Sequence, residues 1–226
     1  MDVRGAVRLL GYKIVQMAEI GRPRDALDLA GDRDVEWAWV AANLPEAPGR
    51  VLDFGPASSW MGLVAAFKGG PVCGLDLTPL RLTFAHPRHE VRAGDILTYP
   101  FGETRFDTVI NCSTTEHVGL GGRYGGVADP DGDLKAMARL RELMGAGARM
   151  ILTVPVGRDG TFAPWHRVYG ETRLPRLLAG FERIREEYFA KRTGDNRWRP
   201  VPREEALQVE SGPRFYALGL FVLGSG

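Results

Sequence analysis

Between residues 50 and 155, short apolar runs alternate with stretches that have the character of helices or turns. Short apolar runs bounded by turn residues predict strands, and strands that alternate with helices predict a mainly parallel sheet. The predicted strands are residues 50–54, 72–76, 90–93, 108–111 and 149–154. Helices are predicted between them at residues 59–68 and 133–144, and Thr78 with Pro79 predicts the start of another short helix.

The rest of the chain extends this core on both sides. Residues 1–45 carry apolar positions at three- and four-residue intervals, which predicts a helical N-terminal extension. Beyond the core, a helix is predicted at 171–178 and strands at 181–189 and 215–223. We therefore predict an α/β fold with a mainly parallel seven-stranded sheet and helices on both faces. A length of 226 residues favours one domain over two.

The composition excludes several classes of protein. Lys and Arg total 29 against 28 acidic residues, and a net charge of +1 argues against a broad basic surface for nucleic acid. No apolar stretch approaches the roughly 20 residues that cross a bilayer. Cys73 and Cys112 lie in separate predicted strands and are expected to be free thiols. We expect a cytoplasmic protein that binds neither nucleic acid nor membrane.

Three acidic residues follow or end three successive predicted strands. They are Asp53, Asp76 and Asp95. Ligands of open parallel sheets bind in the crevice beyond the carboxyl ends of the strands, where these side chains are predicted to meet. Asp76 lies 21 residues after Gly55, a spacing that suits an acid accepting hydrogen bonds from ribose hydroxyls.

The turn after the first strand distinguishes between two kinds of nucleotide ligand. A pyrophosphate requires backbone N–H donors at close approach, but Pro56 has no N–H to donate. Asp53 would also repel a phosphate, whereas it suits an ammonium or sulfonium group. S-adenosylmethionine has a ribose, an adenine and a cationic methionyl group but no phosphate, so it fits this turn better than a dinucleotide does.

The chain from Val51 to Val154 resembles the class I S-adenosylmethionine-dependent methyltransferases, which have a Rossmann-like fold. The resemblance rests on residues 51–55, Asp76, 94–95, 106–111, 116–118 and 145–155. It departs from the family pattern at Ala57 and Ser59, where glycines are usual. Further segments, including residues 37–43, 131–134, 154–157, 166–169 and 203–206, resemble a bacterial methyltransferase-like group without a firm substrate.

This resemblance implies a cofactor site and three regions of the chain. Residues 1–45 are the extension, 50–155 the cofactor-binding core, and 156–226 the substrate side with the C-terminal strands. Asp76 would hold the ribose, Asp95 with Ile96 would meet the adenine, and Asn111 would line the cofactor. Asp53 and Gly55 would shape the methionine end, and Pro56, Ala57 and Leu77 are further candidate cofactor-binding residues.

His117, in the segment after the fourth predicted strand, is the candidate catalytic residue. Methyl transfer to oxygen or nitrogen can require a base, and an imidazole titrates near neutrality. His117 can equally satisfy neighbouring backbone groups. Glu116 and His117 could instead contribute to a divalent-metal site, but no third ligand is evident, and we predict no metal.

Candidate substrate-binding residues lie in two segments rich in aromatic and polar side chains. A ring, an imidazole and a guanidinium close together suit a polar substrate with planar or anionic parts. The same residues could instead pack the following helix. The candidates are Tyr124, Trp165, His166, Arg167 and Tyr169. Of two N-terminal tryptophans, Trp37 and Trp39, one is expected to pack and the other to close the cofactor site.

The predicted activity is methyl transfer from S-adenosylmethionine to an oxygen or nitrogen of a small polar metabolite, such as a sugar or sugar nucleotide. The alternative is a non-catalytic module that binds the cofactor or a partner. A nucleic-acid methyltransferase is disfavoured, because the charge is balanced and no Asn/Asp-Pro-Pro-aromatic tetrapeptide follows the fourth strand. The sequence makes no prediction of the oligomeric state.

Overall fold

The computed structural model describes residues 27–121 and 125–226. Its strands, numbered along the chain, are β1 (Val51–Phe54), β2 (Val72–Asp76), β3 (His89–Ala93), β4 (Phe106–Cys112), β5 (Met144–Val156), β6 (Gly160–Phe162), β7 (His166–Val168), β8 (Phe181–Lys191), β9 (Trp198–Pro200) and β10 (Ala217–Ser225). The helices are α1 (Asp32–Asn43), α2 (Met61–Phe67), α3 (Gly132–Leu143), α4 (Arg173–Leu177) and α5 (Arg203–Leu207), with a 3₁₀ turn at Thr115–His117.

Eight strands form one sheet in the order β3-β2-β1-β4-β5-β10-β8-β9. Strands β3, β2, β1, β4 and β5 are parallel to one another, whereas β10 is antiparallel to both β5 and β8. The mainly parallel sheet is therefore confirmed. The prediction of seven strands was short by one, because the three-residue strand β9 pairs with the outer edge of β8. Strands β6 and β7 form a separate hairpin.

Both faces of the sheet are covered, as predicted. On one face, α1 and α2 contribute Trp39, Val40, Met61 and Ala65 to a core with the buried side chains of β1, β4 and β5. On the other face, α3 packs residues such as Met137 against alternate positions of the same strands. Each central strand is buried on both sides, which explains why the strands read as continuous apolar runs.

Two sequence-based helix predictions have different outcomes. The C-terminal part of the predicted extension is the helix α1, and residues 1–26 lie outside the described part of the chain. The short helix predicted at Thr78 was wrong. The backbone N–H and hydroxyl of Thr78 both donate to Asp76 Oδ1, each at 3.1 Å, so the chain makes a turn closed by Asp76 rather than starting a helix.

None of the helices in residues 27–121 and 125–226 combines the length and apolar character that a bilayer crossing requires.

Asp53 lies beneath α2 and not at the ligand edge where the sequence placed it. The residue is 2% exposed, and its Oδ2 has no hydrogen-bond partner among the described residues. A Cβ atom on Gly62 of α2 would come within 2.6 Å of this oxygen and 2.8 Å of His89 Nε2. Asp53 shares its side of β1 with Val51, which packs in the core under α1 and α2. Burial raises the pKa of Asp53 to about 7.

We predict that Asp53→Asn flattens the pH dependence of stability. An acid whose folded pKa is raised stabilises the protein at low pH, and this contribution is lost as the pH rises through the folded value. The variant should therefore gain on the order of 3 kcal/mol relative to wild type between about pH 4 and pH 8. Urea unfolding across that range measures the gain. Glu103→Gln, in an exposed loop, is the control, and equal pH slopes for Asp53→Asn and wild type would contradict the prediction.

Candidate functional site

A cavity of about 490 Å³ opens at the carboxyl edge of the parallel strands. Its size lies within the range of roughly 300–1,000 Å³ that is typical of small-molecule sites. The lining comes from the segments that follow β1, β2, β3 and β4, from the first turns of α1, and from the loop before α3. Crevices at this edge are where open parallel sheets bind ligands, since the strand ends there leave polar groups unpaired.

The turn after β1 forms the floor of the cavity. Gly55 has φ +65, and a Cβ atom there would overlap the side chain of Thr114, so only glycine fits. Ala57 has φ +46, a conformation that L residues adopt at a cost. The Ala57 N–H donates to Asp76 Oδ2 at 3.2 Å, which ties this turn to the end of β2. Pro56 lines the cavity between them and presents no N–H.

The acids predicted at the ends of β2 and β3 both line the cavity. Asp76 and Asp95 are partly exposed there, and the exposed Leu77 and the buried Ile96 line the cavity beside them. Asp95 Oδ1 accepts the Leu97 N–H at 2.9 Å, which fixes the turn that leads out of β3. The parallel register pairs Asp76 with Ala93, so the two acids follow adjacent strand ends.

Asn111 does not line the cavity, although the sequence predicted that it would. It is fully buried on β4, and its amide donates to Thr115 Oγ1 at 2.6 Å. It faces the α3 side of the sheet, near Met137 and Met150. Its effect on the site is therefore indirect, because it anchors the 3₁₀ turn that carries His117.

His117 lies in the cavity wall, where the sequence placed it. Its Nδ1 is 2.5 Å from the carbonyl oxygen of Trp165. A carbonyl can only accept, so Nδ1 carries the proton, and in the neutral ring Nε2 is the basic nitrogen. Nε2 lies 3.6 Å from Oε1 of Glu116, too far for a hydrogen bond but close enough for a carboxylate to stabilise a protonated ring.

Glu116 and Glu36 are buried carboxyl groups directly behind the cavity wall. Burial raises the pKa of each to about 7. Glu36 Oε1 accepts hydrogen bonds from the hydroxyls of Ser113 and, at 2.7 Å, Thr153. Its Oε2 accepts from Arg33 Nη1 at 2.7 Å. Glu36 thus fastens the start of α1 to the ends of β4 and β5.

The predicted substrate residues divide into three groups. Tyr124 lies outside the described residues. Trp165 is 44% exposed and reaches the site through its carbonyl oxygen on His117. His166, Arg167 and Tyr169 are buried and do not line the cavity. Their burial follows from β7, which pairs with β6 and packs against the 3₁₀ turn behind the cleft.

Arg167 shapes the cleft from behind. Its guanidinium is 2% exposed, donates to the carbonyl oxygens of Val118 at 2.5 Å and Asp129 at 3.0 Å, and lies 3.8 Å from the carboxylate of Asp133. These contacts hold both ends of the loop between the 3₁₀ turn and α3. Burial also lowers the pKa of His166, which contacts the Gly212 carbonyl oxygen at 3.2 Å.

Several lining residues were not predicted from the sequence. They are Arg33, Phe54, Ser113, Thr114 and the segment 127–130. Trp37 lines the cavity and contacts Trp60 edge-on, whereas Trp39 packs in the core. No sequence signal identifies Arg33, because its position depends on where α1 packs.

Within the described ranges, no group of three or more His, Cys, Asp or Glu side chains is arranged to hold a metal ion.

Comparison with protein families gives one partial match. A family profile described as "Caenorhabditis protein of unknown function, DUF268" matches residues 97–196, less than half of the chain. No curated protein sequence matches. These comparisons assign no function.

The fold is shared with solved methyltransferases of low sequence identity. One is the 1,6-didemethyltoxoflavin-N1-methyltransferase of Burkholderia thailandensis, 17% identical, with a TM-score of 0.56 over 100% of this chain and 91% of that one. Another is the N-methyltransferase NodS of Bradyrhizobium japonicum, 13% identical, with a TM-score of 0.56 over 92% and 95%.

The [4+2]-cyclase SpnF is also similar, 19% identical, with a TM-score of 0.54 over 74% of this chain and 63% of that one. A protein named for a cyclisation therefore shares this architecture with the methyltransferases. Such likeness identifies a fold and not a reaction. This chain has the Rossmann-like fold of the class I methyltransferases.

Proposed function

We propose that this protein binds S-adenosylmethionine in the cleft and transfers its methyl group to an oxygen or nitrogen of a small polar metabolite. The observation that supports this most is the meeting of Asp76, Asp95 and the Gly55–Ala57 turn in one cavity. Two acids beside a turn without a phosphate cradle suit a ligand that has a ribose and an adenine but no phosphate.

Each part of the cofactor has matching groups in the cleft. Asp76 accepts hydrogen bonds from the ribose hydroxyls, and Asp95 with the apolar Ile96 and Leu77 meets the adenine. Gly55, which lacks a Cβ atom, allows the methionyl part to approach the backbone of the turn. Two of the methyltransferases with a similar fold have been solved with bound S-adenosylhomocysteine, which agrees with this assignment.

The methyl acceptor is proposed to meet the cofactor beside His117. Bound S-adenosylmethionine would supply a methyl group for displacement by the acceptor atom, with the sulfur as the leaving group that takes the electron pair. A proton leaves the acceptor for Nε2 of His117, and the carboxylate of Glu116 stabilises the ring as it becomes positive. Alignment of the acceptor with the sulfonium contributes the rest of the rate enhancement. A sugar or a sugar nucleotide, whose hydroxyl groups can be methylated at oxygen, is one class of acceptor that we propose.

One observation favours a second function, a cofactor- or partner-binding module without catalysis. Ala57 stands in a left-handed conformation at a turn where the methyltransferases that the chain resembles usually have glycine, and this backbone strain lies at the turn proposed to position the methionyl end for transfer. The module predicts saturable binding of S-adenosylmethionine with no methylated product across a broad panel of oxygen and nitrogen acceptors. A methylated product would exclude it.

We predict that Asp76→Asn weakens S-adenosylhomocysteine binding by about 10- to 100-fold. The substitution removes the charge from hydrogen bonds to the ribose, and a charge-assisted bond contributes roughly 1.5–3 kcal/mol. Isothermal titration calorimetry measures the dissociation constants. Asp107→Asn is the matched control, since Asp107 accepts the Arg50 N–H at 2.7 Å and does not line the cavity. Equal affinity in wild type and Asp76→Asn would refute the ribose role.

We predict that His117→Asn lowers methyl transfer by about 10²- to 10⁴-fold, the usual contribution of a general base, and leaves cofactor binding unchanged. The asparagine amide can still donate to the Trp165 carbonyl oxygen but has no equivalent of Nε2. Transfer of a radiolabelled methyl group to the acceptor panel measures the rate. A variant that transfers as fast as wild type would show that His117 is not the base.

A further inference from the structure

Arg33 is a cation in a cleft whose other charged walls are acidic. Among the described lining residues it is the one Arg or Lys, facing a cavity that also contains Asp76, Asp95 and Asp129. Its side chain is 43% exposed, so the guanidinium is neither fully solvated nor buried in the protein. The proposed function assigns the two strand-end acids to ribose and adenine and assigns nothing to this guanidinium.

Buried contacts hold Arg33 in place. Glu36, 0% exposed, accepts from Arg33 Nη1 at 2.7 Å and is itself bound by the hydroxyls of Ser113 and Thr153. A guanidinium has five N–H donors, and this contact with Glu36 is the one hydrogen bond that it makes to described residues. The remaining donors are available to a ligand, in a fork that matches the two oxygens of a carboxylate.

The surrounding acids do not fully neutralise Arg33. Burial raises the pKa of both Glu36 and Glu116 to about 7, so each is partly protonated near neutral pH. Arg33 itself stays protonated, because Glu36, Asp32 and Glu116 raise its pKa against the opposing effect of burial. A ligand anion that approaches Arg33 therefore meets a positive group backed by carboxyl groups that can take up protons.

Arg33 also lies at the opposite half of the cleft from the nucleoside acids. Glu36 connects it to Ser113, which follows β4, and to Thr153 of β5. Asp76 ends β2 and Asp95 follows β3, and these two strands lie on the other side of β1 in the sheet. A ligand whose nucleoside contacts the two acids extends its far end, or the acceptor beside it, towards Arg33.

We propose that Arg33 is a carboxylate-recognition residue of this cleft and that Glu36 is its positioning residue. The proposal rests on the proposed function for its ligand. Two sources supply the same chemistry: the methionine carboxylate of the cofactor, and a carboxylate on the acceptor. Either one would form paired hydrogen bonds with the guanidinium.

Binding measurements separate the two sources. The probes are S-adenosylhomocysteine, 5′-methylthioadenosine (which lacks the amino-acid part), acetate, and acetamide as the neutral control. Each is titrated into wild type and Arg33→Gln, with acetate also titrated into protein saturated with S-adenosylhomocysteine. Arg139→Gln is the control variant, because Arg139 pairs with Glu142 on α3 and does not line the cavity.

We predict that Arg33→Gln loses at least about tenfold in carboxylate binding and none in 5′-methylthioadenosine binding. If the affinity for S-adenosylhomocysteine falls, the cofactor supplies the carboxylate. If that affinity holds and acetate binding to the saturated protein is lost, the acceptor supplies it. The proposal is wrong if Arg33→Gln binds every probe like wild type, or if it weakens S-adenosylhomocysteine and 5′-methylthioadenosine equally.

Variants of Glu36 test its positioning role and control for the charge that Arg33→Gln leaves unpaired. Arg33→Gln leaves the buried Glu36 without its cation. Each titration is therefore repeated with the double variant Arg33→Gln/Glu36→Gln, which removes both charges and leaves no unpaired acid. If the cofactor supplies the carboxylate, Glu36→Gln alone should retain the ratio of S-adenosylhomocysteine to 5′-methylthioadenosine affinity, and Glu36→Ala should lose it. If the acceptor supplies the carboxylate, Glu36→Gln should retain acetate binding and Glu36→Ala should lose it. Failure of wild type to bind either nucleoside would refute the proposed function. The comparison of acetate binding between wild type and Arg33→Gln would still test whether Arg33 recognises a carboxylate.

Discussion

The parallel pairing of β1 with β2 and β4 is the constraint on which the site depends. Val51 pairs with Val72 on one side and Thr108 on the other, and this register brings the ends of the three strands to one edge. The turn at Gly55 and the acid at Asp76 consequently lie together although 21 residues separate them. The apolar residues of these strands, buried on both faces, hold the register, since a slip of one residue would turn every side chain to the opposite face.

Buried charges build the walls around that edge. Arg167 binds the carbonyl oxygens of the loop before α3, and Glu36 binds α1 to the ends of β4 and β5. A charge removed from water is costly unless its partners replace the lost solvation, so each of these groups is surrounded by several. The same burial raises the pKa of Glu36 and Glu116, which places proton-exchanging groups directly behind the cleft.

The cleft has two halves, and the shared fold does not specify the reaction that takes place between them. The half proposed to bind the nucleoside has Asp76 at the end of β2 and Asp95 after β3. The other half, at β4 and β5, contains His117 and Arg33, which we propose to be the base and the carboxylate-recognition residue. Neighbours of similar fold include methyltransferases and a protein named as a cyclase, so the architecture alone does not select the reaction.

The order of amino acids was enough to predict the alternating strands, the glycine turn and the placement of Asp76 and Asp95, because these depend on local patterns and on the shared edge of a parallel sheet. It could not predict which side of its strand a polar residue would face. Asp53 and Asn111 sit on two-sided buried strands, where no polar–apolar alternation marks the faces. Nor could it place Arg33 in the cleft and Arg167 behind it. Those positions come from the packing of α1 and β7 against distant strand ends, and only the tertiary structure decides such contacts.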